Sequence, residues 1–132
     1  MTGSIDFRYD PRDDIVFATP HWRIENMDDV LAWYRQYSDY FGFNFPERKV
    51  DLVLDLGDFQ VSPSIAARWG EYRARMNTTY TRHSCRVSAD SRVRLHVLTS
   101  AARHDATAHM DEAPTVEEAV EAIKAARRSQ GA

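Results

Sequence analysis

Four side chains with chemistry to offer fall close together in mid-chain: Asp55 and Asp58 on either side of Gly57, then Ser62 and Ser64 around Pro63. Two carboxylates so spaced, with a histidine brought in by folding, have the makings of an acid/base pair or a weak metal site. Shaping a loop is the plainer role, because aspartate is common in turns and no third carboxylate stands at a diagnostic spacing. The serines offer hydroxyls for phosphorylation, which would place roughly −1.5 to −2 charges near helix N–H groups. The same N–H groups suit an unmodified anion. The bland alternative makes Ser62 a helix N-cap, with Pro63 in the first turn where its missing N–H is not needed, and Ser64 a solvated neighbour.

Other reactive residue types point to less. The histidines His21, His83, His96, His104 and His109 match no zinc pattern. Cys85 is the one cysteine, so it forms no internal disulfide, and its neighbour His83 lacks the third partner a thiolate nucleophile needs. We therefore expect no catalytic residue, metal or cofactor. The aromatic series Trp33, Tyr34, Tyr37, Tyr40 and Phe41 exceeds what one buried helix face requires. Core packing explains most of it, but some rings, with Trp69 and Tyr72, suit a partner surface or a dimer contact. Asp55, Asp58, Trp69 and Tyr72 are thus the candidates for binding a ligand or partner, and Ser62 and Ser64 for phosphorylation or anion binding.

These residues need elements to hold them. The run Val50, Leu52, Val53, Leu54, Leu56 reads as a buried strand ended by Gly57-Asp58. The spacing of Ile65, Trp69, Tyr72, Met76 and Tyr80 predicts a helix from about Pro63 to Thr79. Upstream, Ile5, Phe7 and Tyr9 alternate with polar residues, and Ile15–Thr19 resumes after a polar turn, giving a hairpin extended through Pro20–Ile24. Asn26 caps a first helix, carrying Asp29 in its first turn and stopping near Gly42. Downstream, Ser84–Ser88 is a brief strand, and residues 90–101 form a helix, with a strand over 93–99 as the opposing reading. Residues 106–110 add a short strand. Thr115 and Glu118 form a capping box for a last helix, fraying from Ser129 to Ala132.

At 132 residues, 43% apolar and 28% charged, the chain fits a single globular domain spanning residues 1–132. No apolar run is long enough to span a bilayer, and a cytoplasmic protein is expected. The net charge of −3 is uneven: residues 1–60 hold 6 Lys/Arg against 12 Asp/Glu, and residues 61–103 hold 8 against 2. That basic middle lies on predicted helices, where a solvated or paired face is the common meaning, so neither nucleic acid nor membrane is expected as a partner.

The order strand, strand, helix, strand, helix, strand, helix, strand, helix describes an α/β domain with a single mixed sheet of 4–5 strands. In this order the chain resembles the STAS family, the sulfate-transporter and anti-anti-sigma domain. The likeness is carried by Val53-Leu54-Asp55-Leu56-Gly57-Asp58-Phe59 leading to Ser62-Pro63-Ser64, and by Thr115-Val116-Glu117-Glu118-Ala119-Val120. It implies a non-catalytic regulatory domain that acts through protein–protein contact, with a kinase or anti-sigma-like regulator as partner and homo-oligomers within range. Counted from Asp55-Leu56 without a gap, the family's phosphorylated serine falls on Ile65, so the acceptor is expected at Ser64 or Ser62. The alternative is a small-molecule or anion-binding domain using the same strand end, and after it a small enzyme.

Overall fold

Alternation of apolar and polar residues makes a hairpin of β1 (Ser4–Asp10) and β2 (Ile15–Ile24), paired antiparallel from Ser4↔His21 to Asp10↔Ile15. The computed structural model describes residues 3–87 and 110–131. The hairpin turn ends at Asp14, whose φ of 54° lies in the left-handed region that aspartate tolerates better than most residues. Its carboxylate accepts from Tyr9 Oη at 2.6 Å and from two Arg48 nitrogens at 2.9 and 3.1 Å. With Arg48 foremost, these bonds hold the Asp14 pKa down at about 2.

Helix α1 (Met27–Asn44) starts where Asn26 Oδ1 accepts the Asp29 N–H at 2.9 Å, while the Asp29 carboxylate reaches back to the Glu25 N–H, also at 2.9 Å. Asn26→Ala should cost about 1 kcal/mol, measured by chemical denaturation, because the cap's donor is left to water alone. Val30, Trp33, Tyr37 and Phe41 recur at helical spacing and are buried. Gly42 does not end the helix. It sits exposed in the last turn, where a side chain would meet open space, and the helix ends at Asn44 with Phe45 as its C-cap.

The dense aliphatic run is β3 (Val50–Asp55), third of five in the sheet order β1-β2-β3-β5-β6. It lies parallel to β2 on one side and to β5 (Thr81–Val87) on the other, and β6 (Met110–Ala113) follows in parallel. A sixth strand, β4 (Phe59–Val61), was not legible in advance. It pairs with Trp22–Ile24, whereas β3 pairs with Ile15–Ala18. Pro20 falls in the gap between these two ladders, where its missing N–H does least harm.

Helices cover both faces. Even-numbered residues of β2 and β3, from Val16 to Leu54, and Leu56 just beyond β3 pack against α1 and α2 (Ala66–Tyr80). Ile15, Val53, Cys85 and Val87 face the other way, onto Ala119 and Ile123 of α3 (Val116–Gly131). The Thr115 hydroxyl accepts the Glu118 N–H at 3.2 Å, as the capping box requires, but α3 continues to Gly131, beyond the expected fraying point. The fold class is α/β with a mixed sheet, as the element order indicates. The choice between helix and strand near residues 90–101 lies outside the described residues, as do His96, His104 and most of the strand expected at 106–110.

A buried carboxylate ties α3 to the sheet. The β3–β5 register slips between Val50↔Thr81 and Leu52↔Ser84, so Asp51 meets both Arg82 and His83. Fully buried, it accepts from Arg82 Nε (3.2 Å) and Nη2 (3.1 Å), the His83 backbone N–H (3.0 Å) and Arg127 Nε (2.6 Å), with His83 Nδ1 at 3.1 Å. Burial pushes its pKa up, but hydrogen bonds from Arg82 and Arg127 outweigh that and leave it lowered. Arg127 also donates to the Asp14 carbonyl at 2.9 Å. Among the described residues, no helix is long and apolar enough to cross a membrane.

Candidate functional site

β3 ends at a bend rather than directly at a helix. Leu56 N–H donates to the Val87 carbonyl at 2.8 Å, which holds the end of β3 against β5. Asp55 Oδ1 then accepts the Gly57 N–H at 3.1 Å, and Phe59 N–H donates to the Leu56 carbonyl at 3.2 Å, which reverses the chain locally. Phe59 and Val61 turn inward, Gln60 outward, and the short β4 leads into Ser62.

Ser62 does not cap α2. Its N–H donates to the Ile24 carbonyl at 2.9 Å, which keeps the residue in line with β4 and next to β2. A further turn, with Ile65 N–H on the Ser62 carbonyl (3.1 Å) and Ala66 N–H on the Pro63 carbonyl (3.4 Å), delays the helix to Ala66. The cap residue is Ile65, without a side-chain cap bond. Ser62 therefore stands too far upstream to reach the second or third helical N–H. Ser62 is half-buried and Ser64 is exposed.

The four remaining candidates part company. Asp55 is spent on its own loop, whereas Asp58 Oδ2 lies 3.0 Å from His21 Nδ1 on β2. The other ring nitrogen, Nε2, lies 2.9 Å from Asp6 Oδ2 on β1. Asp55 and Asp58 thus do not act on each other. Trp69 is fully buried, packed against Trp33 (5.6 Å between ring centroids) and Phe59 (5.3 Å), so it offers no surface to a partner. Tyr72 is half-buried on the outer side of α2, 5.3 Å from Tyr34 of α1 and beneath the Arg75 guanidinium at 4.7 Å. Of the α1 series, Trp33, Tyr37 and Phe41 belong to the core, and Tyr40 stacks on Phe7. Cys85 is buried under α3.

Among the described residues, no group of three or more His, Cys, Asp or Glu is arranged to hold a metal ion. Beyond the end of β3 stand two separate features: a histidine set between two carboxylates at the bend, and, past β4, an exposed hydroxyl on a hydrogen-bonded turn. The histidine was missed because its partners come from β1 and from the bend after β3, both distant in sequence; its signal was an outward position on β2 next to the ladder-interrupting Pro20. No protein-family model matches this chain, and no curated protein matches it.

Proposed function

We propose that this domain is a non-catalytic, cytoplasmic regulatory module that works by protein–protein contact, with the turn between β4 and α2 as its contact point and the Ser64 hydroxyl as its switch. The observation that carries this reading is the exposure of Ser64 on a turn fixed by the three backbone hydrogen bonds at Ser62, Ile65 and Ala66. A kinase needs a reachable hydroxyl, and a partner loses least freedom in binding a turn that is already ordered. Phosphorylation would add roughly −1.5 to −2 charges at this turn. Arg68, exposed four residues on in the first turn of α2, is the nearest basic side chain in sequence. The change would alter the charge of the contact surface without rearranging the core. The likeness of Val53–Phe59 and Thr115–Val120 to STAS sequences supports the same location and a kinase or anti-sigma-like regulator as partner.

Immobilised wild type, Ser64→Ala and Ser64→Glu proteins, exposed to extract of the source cells, should retain a common partner in unequal amounts. Quantitative mass spectrometry is expected to show wild type and Ser64→Ala alike and Ser64→Glu altered for at least one protein. Identical retention by all three would contradict a switch at this turn.

A further inference from the structure

We infer that His21 is a proton-operated clip that fastens the bend between β3 and β4 to the β1–β2 hairpin. Its ring reaches across three chain segments: Asp6 on β1 lies 2.9 Å from Nε2, and Asp58 in the bend lies 3.0 Å from Nδ1. A carboxylate only accepts, and a neutral imidazole donates from one nitrogen, so in the neutral form a ring lone pair faces a carboxylate at one of the two contacts. Only the imidazolium donates on both sides. The clip acts on the attachment of β4 and does not depend on modification of Ser64.

The surroundings leave these two carboxylates in charge of the ring. Farther along the same face of β2, Arg23 is engaged by Glu25 at 3.1 Å, and on β1 Arg8 lies over the Phe17 ring at 4.2 Å. Helix α3 packs mainly on β3, β5 and β6 and meets β2 at Ile15 and Phe17, toward the opposite end of that strand from His21. The bend's hydrogen bonds from Gly57 to Asp55 and from Phe59 to Leu56 are local, and Leu56 N–H ties it to β5, so among the described residues the Asp58–His21 contact is the side-chain hydrogen bond that links the bend to β2. The link precedes a ladder of only three residue pairs, Trp22↔Phe59 to Ile24↔Val61, whose register it helps to hold.

Hydrogen bonding to Asp6, and next to Asp58, raises the His21 pKa above the ordinary 6.5. A raised native pKa means that the clip's contribution is complete below the ordinary imidazole range and is lost as pH rises through the native value. Side-chain exposures of 41% for His21, 76% for Asp6 and 71% for Asp58 make this a local fastening, not a determinant of the fold.

Histidine-ring and backbone-amide NMR from about pH 5 to 9 tests the clip across the range where histidine changes charge. The His21 midpoint should lie above 6.5, the Asp58 and Phe59 amides should shift with that same midpoint, and both Asp6→Asn and Asp58→Asn should lower it. In His21→Gln the amide transition should vanish. A midpoint at or below 6.5, or a transition at Asp58 and Phe59 that survives in His21→Gln, would overturn the clip. All three substitutions alter exposed side chains, so the variants fold and each outcome is readable.

Discussion

Trp69→Ala is expected to remove about 3–5 kcal/mol of folding stability, the range for truncating a large aromatic in a closed core. The indole is fully buried where α2 meets α1 and β4, touching Trp33 and Phe59, and little backbone adjustment can close the space it would leave. A second loss adds to the cavity. The buried Arg73 guanidinium lies 5.0 Å from the Trp69 ring, and burial, then the charge of Arg86, pulls the Arg73 pKa down to about 9. Removing the ring takes a polarisable face from a cation already penalised by its surroundings. Against a typical total of about 5–15 kcal/mol, Trp69→Ala should move the urea midpoint far enough to leave a marginal protein. Trp69→Phe should cost much less, because it keeps a ring and removes an indole N–H that has no hydrogen-bond partner among the described residues. Tyr72→Ala, on the half-exposed side of the same helix, should cost about 1 kcal/mol. Equal losses at positions 69 and 72 in urea titrations would mean that Trp69 is not closed in.

Asp51→Ala is expected to cost about 3 kcal/mol at neutral pH, the lower end for breaking a buried ion pair by deleting one partner. It falls at the lower end because the Arg82 and Arg127 side chains, 47% and 28% exposed, recover water once the carboxylate is gone. The His83 N–H and Arg127, which also holds the Asp14 carbonyl, lose their shared acceptor, and the α3 docking loosens with them. The pH dependence has a definite sign. The native Asp51 pKa is lowered, so its contribution is present above the usual aspartate range and is lost as pH falls through the native value. Denaturation midpoints of wild type and Asp51→Ala should converge below ~pH 4. A gap that stays constant from neutral to strongly acidic pH would assign the loss to packing alone.

What could be read from the sequence was what neighbouring residues decide among themselves. Five aliphatic residues packed into Val50–Leu56 need a strand covered on both faces, and β3 is central with helices on either side. Asn26 with Asp29, and Thr115 with Glu118, meet across a single turn and were legible as caps. Long-range geometry was not legible. Ser62 has every local qualification to cap α2, yet the Ile24 carbonyl claims its backbone for the sheet. Phe59-Gln60-Val61 is a strand because Trp22–Ile24 offers an edge, and three residues alternating in-out-in are too few to announce it.

The sites divide along the same line. His21 meets Asp58 across 37 positions and Asp6 across 15, separations at which residue spacing says nothing. Asp51 did leave a trace: a carboxylate inside an aliphatic run calls for buried cations, and the basic middle segment supplies Arg82. The start of β5 was obscured by its polar residues Thr81-Arg82-His83, two of which are there to meet that carboxylate. Trp69 carried two signals at once, its helical spacing with Ile65, Tyr72 and Met76 and the surplus of aromatic residues; the spacing was the better guide to its place in the core.

The proposed switch at Ser64 is tested most directly by phosphosite mapping. The folded protein and its Ser64→Ala and Ser62→Ala variants are incubated with ATP and the serine kinases of the source cell, and read by intact-mass and fragmentation analysis. One phosphate, on Ser64, present in Ser62→Ala and absent from Ser64→Ala, is the expected result. A phosphate that persists in Ser64→Ala, or none from any of the kinases, would contradict it.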